Sequence, residues 1–192
     1  MIRDLKVKSE HISSHILENE ILTTNKGLRF FNGHYDNLEN KIGGEKNGSI
    51  MMDLTSQVIP IISNVSNKKM SAEVYEAIKK VLKDEGSPGI RLTSEFKEID
   101  MNVGRITGFV YGHKEHGSKW VQQNIMLAYG LYKQGLVTQG NEIMQEVYEI
   151  AKKNQKAQNK DRIKLVVEMN IFSLWHVCCS AGGDKPHAKE FP

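Results

Sequence analysis

The chain has 192 residues, with 26 Lys+Arg against 23 Asp+Glu, a formal net charge of +3. Hydrophobic residues are 39% and charged residues 26%, which fits a core-forming domain and excludes collagen, a disulfide scaffold and wholesale disorder. Only two cysteines occur, the neighbours Cys178 and Cys179, so no disulfide framework is expected and the chain reads as cytoplasmic.

The opening residues Met1-Ile2-Arg3-Asp4-Leu5-Lys6 carry no apolar signal segment. No run approaches ~18 apolar residues, so no membrane partner is expected. Ile2, Leu5, Ile12, Ile16 and Ile21 give an irregular helical pattern over 2–21. After a loop at 23–27, residues 28–36 read as a short aromatic extended segment closing on Asn32-Gly33. The polar, glycine-containing stretch 37–49 reads as a loop. Met51 to Ile62 is an apolar helix candidate in which Pro60 kinks or ends the helix unless the helix begins shortly before it.

A clearer helix begins at Ser71, taken as its N-cap. It presents Val74, Ile78, Val81 and Leu82 and stops near Gly86. Residues 87–118 have many glycines and no sustained period, so they form a long connection of the kind that usually carries function. Two strong helices follow, about 119–134 and 138–153. The short link Gln134-Gly135-Leu136-Val137 makes them an antiparallel helical hairpin. Residues 163–179 fit either strand or helix. Charge is local: 152–164 hold six cations and one carboxylate, a local +5 that leaves −2 for the rest. That run reads as a solvated face, and no nucleic-acid partner is expected.

The densest polar cluster is Tyr111-Gly112-His113-Lys114-Glu115-His116-Gly117-Ser118, just before a helix. Glycines let a backbone approach a ligand, and a helix N-terminus favours anions. The cluster fits a sugar or phosphate site with Glu115 accepting from hydroxyls. It also fits a metal site from His113, Glu115 and His116, or a solvated loop. Phe30, Phe31, His34, Tyr35 and Asp36 read as core packing first and as a stacking platform second. Arg91 and Arg105 can grip an anion or make structural hydrogen bonds. Trp120 reads as core rather than ligand contact. One carboxylate does not cleave a glycoside by hydrolysis, which uses two, whereas a phosphorylase needs a single acid because phosphate attacks.

Several stretches resemble the catalytic domain of glycoside hydrolase family 94, and most closely the β-1,2-oligoglucan phosphorylase type. They are Arg29–Asn37, Met52–Ser63, Gly89–Leu92, Asn102–Arg105, Tyr111–Gly117 and Ala128–Gly135, in family order over roughly 14–155. The resemblance implies a mainly α fold: a partial (α/α)6 barrel of helical hairpins and long loops over 1–155, with a divergent tail at 156–192. It implies phosphorolysis of a β-linked gluco-oligosaccharide to a sugar 1-phosphate. Inversion is implied, with inorganic phosphate as co-substrate and neither metal nor cofactor. The family's Lys-Glu-Asn-Gly motif aligns with Lys114-Glu115-His116-Gly117, so Glu115 would contact sugar hydroxyls. His113, Arg91 and Arg105 would lie in the same cleft. A phosphate-binding histidine of the family falls at Gln122, which is not cationic. The family's general acid lies upstream of the matched stretches, so the chain is expected to be inactive alone. Alternatives are a non-catalytic glycan-binding or docking module, partnered by an upstream fragment or a second copy.

Overall fold

A computed structural model describes residues 2–46 and 48–155. The order is α1 (Ile2–Asn19), β1 (Ile21–Thr23), β2 (Arg29–Phe31), β3 (Gly44–Lys46), β4 (Ser49–Met51), α2 (Thr55–Ile62), α3 (Lys68–Leu82), α4 (Val121–Lys133) and α5 (Val137–Gln155). One 3-10 turn, Arg105–Gly108, lies in the connection between α3 and α4. The chain divides into compact units at 1–148 and 149–192. Of the second unit, only the last turns of α5 fall among the described residues. About half the described chain is helical, so the mainly α reading holds. The expected ambiguous segment 163–179 and the basic run beyond Gln155 lie outside the described residues.

The core gathers the apolar stripes of four helices: Val58 and Ile61 of α2, Val74 and Ile78 of α3, Leu127 and Leu131 of α4, Ile143 and Val147 of α5. Helices α2 and α4 approach closely because Gly130 has no side chain. A Cβ there would meet Ile61 Cγ2 at 2.8 Å. Helix α4 ends in a Schellman turn. Gly135 sits at φ +71, Leu136 N–H donates to Leu131 O (2.8 Å) and Gly135 N–H to Tyr132 O (2.9 Å). This turn makes the expected hairpin with α5.

Two buried amides fasten extended segments to these helices. Gln57, fully buried, takes the Phe31 N–H on Oε1 (2.7 Å) and donates from Nε2 to Phe31 O (2.8 Å). Asn124, equally buried, does the same for Ile90: N–H to Oδ1 at 2.7 Å, Nδ2 to O at 3.0 Å. Each amide substitutes for a neighbouring strand, satisfying a backbone pair that burial would otherwise leave costly. Tyr75, also buried, donates to Glu142 Oε2 (2.9 Å). Burial first, and that bond next, push its phenol well above the ordinary range.

Three elements differ from the sequence reading. Helix α3 starts a turn early: Asn67 is the cap, accepting from Met70 N–H at 3.0 Å, and Ser71 is buried with its hydroxyl 2.8 Å from that of Ser66. It also ends at Leu82, where Lys83 turns extended, not near Gly86. The stretch read as a 37–49 loop contains the β3–β4 hairpin, paired Gly44↔Met51 and Lys46↔Ser49. Gly48, just before β4, stands at φ +73, the left-handed backbone that tight hairpin turns use. Helix α2 begins at Thr55 rather than Met51, and Pro60 lies inside it past the first turn, with the helix ending two residues later at Ile62.

Candidate functional site

A cavity of about 340 Å³ opens beside β2, β4 and the long connection. That is at the small end of organic-ligand sites, about 300–1,000 Å³. Its apolar lining includes Phe31, Met51, Leu92, Phe96, Val103 and Trp120, and its ionisable lining is His34, Asp53, Arg105 and Glu115.

One wall is a backbone ladder. Leu54 N–H donates to Leu92 O (2.7 Å) and Ser94 N–H to Met52 O (2.9 Å), so Asp53 lies opposite Thr93. Asp53 Oδ1 accepts the Ser56 N–H at the start of α2 (2.9 Å). Its Oδ2 takes the Ser56 hydroxyl and faces His34 Nδ1 at 3.2 Å. The hydrogen bond to Asp53 raises the His34 pKa against the opposing pull of partial burial.

The other polar pair sits in the turn at 111–117. Gly112 N–H donates to His116 O (2.7 Å) and His116 N–H to His113 O (3.0 Å). The buried His116 ring braces this turn. Its Nδ1 lies 2.6 Å from Phe109 O, and Nε2 accepts the Phe96 N–H at 2.9 Å. A carbonyl can only accept and an amide N–H only donate, so the ring is the Nδ1–H tautomer. Both nitrogens are committed, and His116 has no lone pair free for a metal. Among the described residues no cluster of three His, Cys, Asp or Glu side chains could hold a metal ion. Glu115, carried by this turn, accepts from Arg105 Nη2 on Oε1 (2.6 Å). Its Oε2 is buried with no partner among the described residues. A desolvated, unpaired carboxylate oxygen costs about 1–3 kcal/mol or more.

Of the residues singled out from sequence, Glu115 and Arg105 therefore meet in the cavity. Arg91 is not in the lining. It donates from Nε to Asp84 (2.7 Å) and from Nη1 to Gly117 O (2.6 Å), and its guanidinium lies 4.7 Å from the Tyr111 ring centre. It buttresses the turn that carries Glu115. Asp84 also binds Lys119 (2.9 Å); burial pushes its carboxyl up, but the bonds from Arg91 and Lys119 outweigh it and hold it low. His113 is exposed on the turn, and Gln122 is exposed in the first turn of α4; neither lines the cavity.

Sequence reasoning did not single out most of the apolar lining, such as Phe96 and Val103, nor two residues of note, Trp120 and Asp53. Trp120, expected in the core, is 43% exposed and faces the cavity, because it precedes α4 rather than lying on its buried stripe. Asp53 lay within the family-like stretch Met52–Ser63 but carried no signal of its own as a site residue. The aromatic platform does not assemble as five residues. Phe30 and Phe31 are buried, Tyr35 donates to Glu20 (2.6 Å) and Asp36 closes its own turn, so Phe31 and His34 alone of the five reach the cavity. Among the described residues no helix is long and apolar enough to cross a membrane.

Compared with known families, residues 4–168 match the one described as the glycosyl hydrolase 94 superfamily, catalytic domain. The match runs past residue 155 into the tail. No curated protein matches the chain.

Proposed function

Because the chain belongs to the glycosyl hydrolase 94 superfamily, whose members act on oligosaccharides and phosphate, we propose that it is part of an inverting glycoside phosphorylase with the cavity as part of its sugar cleft. The observation that carries this reading is the Glu115–Arg105 pair set among Phe31, Phe96 and Trp120. A pyranose offers apolar C–H faces to aromatic rings and hydroxyls to polar atoms. A hydroxyl donating to Glu115 Oε2 would relieve the unpaired oxygen, and Arg105, whose side chain is 79% exposed, is free to move with it. The fuller reading is a partial (α/α)6 barrel of the β-1,2-oligoglucan or cellobiose phosphorylase type, in the cytoplasm, its C-terminal part lying in this chain. Phosphate is the co-substrate, without metal.

Two outcomes test it. Purified chain titrated calorimetrically with sophorose and cellobiose is expected to bind one of them, and Glu115→Gln to weaken that binding about 10- to 100-fold, the worth of one charge-assisted hydrogen bond. An undiminished affinity in Glu115→Gln removes the role given to this residue. The same chain supplied with phosphate is expected to release no glucose 1-phosphate, because the general acid lies outside the matched stretches. Release of glucose 1-phosphate would show that a complete catalytic set is present.

The second reading, a non-catalytic helical module that binds glycan or docks on protein, is favoured by α1, which leaves Leu5, Val7 and Ile12 exposed. Binding without turnover fits both readings. Restored turnover on adding an upstream segment of the domain fits only the first.

A further inference from the structure

The cavity holds a second polar pair, His34 with Asp53, that the phosphorylase reading leaves without a task. Asp53 is fixed by two bonds from Ser56 and is 16% exposed, whereas the His34 side chain is 62% exposed. Gly33 makes the arrangement possible. A Cβ there would lie 1.4 Å from Ser56 Oγ and 3.0 Å from Asp53 Oδ2, so any side chain beside His34 would evict the serine that seats the carboxylate. Holding a histidine through Nδ1 leaves Nε2, on the other edge of the ring, for something else. Among the described residues Nε2 makes no hydrogen bond, although His34 lines the cavity.

We propose that His34, positioned by Asp53, is a specificity-determining contact for one sugar hydroxyl, made through Nε2. This rests on the carbohydrate reading of the cavity. Two polar pairs in one apolar cavity select a ligand with hydroxyls at more than one place. A ligand polar at a single point satisfies one pair and desolvates the other. Asp53 accepts from Nδ1–H, which fixes the ring's orientation. Nε2 then accepts from a hydroxyl in the neutral ring and donates to it in the imidazolium, so the contact survives either state.

The test is calorimetric titration of the full chain with sophorose and cellobiose, then with monodeoxy analogues of whichever binds. His34→Phe, which keeps a ring and removes both nitrogens, is expected to weaken binding about tenfold. The decisive readout is coupling: against the one analogue lacking the partner hydroxyl, the same substitution costs nothing, which a merely structural role would not produce. His34→Gln, with an amide that can still reach a hydroxyl, is expected to recover part of the loss, and it stands in if His34→Phe fails to fold. Asp53→Asn keeps an acceptor for Nδ1 and is expected to lose less than His34→Phe. Full affinity in His34→Phe, or equal losses on every analogue, overturns the proposal. If the unaltered chain binds neither disaccharide, the carbohydrate reading falls, and the proposal with it.

Discussion

Asn124→Leu is expected to destabilise the fold by about 3–5 kcal/mol, a large share of the 5–15 kcal/mol that holds a typical domain together. Leucine matches the shape but removes three hydrogen bonds, to Ile90 N–H, Ile90 O and Trp120 O (2.9 Å). Ile90 is fully buried, so its N–H and carbonyl would each be left dry and unpaired, at about 1–3 kcal/mol apiece. Urea denaturation checks this through the midpoint at unchanged slope. The loss should also reach the cavity, since Leu92 lies two residues from Ile90 and Trp120 opens α4. A loss below about 1 kcal/mol would mean that water or a shifted strand takes over the amide's bonds, and that the staple is dispensable.

The second large effect belongs to Gly117→Ala. Its backbone stands at φ +73, which costs an ordinary residue about 1–2 kcal/mol. Its Cβ would lie 2.1 Å from Tyr111 Cε2. The ring has little room to yield, pinned by the Arg91 guanidinium on one side and His116, 5.2 Å away between centroids, on another. Strain and overpacking together are expected to cost about 3–4 kcal/mol. Sugar affinity should fall too, because Glu115 is two residues back in the same turn. Adding Tyr111→Ala removes the clash and leaves the backbone strain. In that background Gly117→Ala should therefore cost about half as much. An equal cost in both backgrounds would show that the ring is not the obstacle.

Helical periodicity and its punctuation are legible in the sequence. The α4–α5 hairpin is readable because Gly135 falls at the one left-handed position of a Schellman turn between two apolar stripes. Helix α3 is readable by its face but misplaced at its start, because Ser71 looks like a cap and is buried core. Nothing local distinguishes a hydroxyl that caps a helix from one that meets Ser66 inside it. The site is half readable. Glu115 and Arg105 announce themselves as polar residues in a glycine-rich connection. Arg91 shares that signal yet supports the turn from behind, since which way a loop arginine points depends on where Asp84 and Tyr111 come to rest. Asp53 and Trp120 enter the cavity only through pairings across the chain, Met52 with Ser94 and Leu54 with Leu92 for the first and Leu92 with Ser118 for the second, which no periodicity foretells.

The two amide staples have a bearing on the order of assembly. Gln57 reaches 26 residues back and Asn124 reaches 34. Contacts of that separation form late, because the intervening chain must close first. During synthesis Phe31, His34 and Asp53 leave the ribosome well before α4 exists. Until Asn124 ties Ile90 to α4, the strand that backs Asp53 is held only by its pairing with Met52, Leu54 and Leu82, and the cavity lacks the Trp120 wall. The binding surface is thus a product of the finished fold and not of any segment. A nascent or clipped chain ending short of α4 would bare the apolar face of α2 that α4 covers, Ile61 included, which makes it a substrate for chaperones before it can be a receptor for sugar.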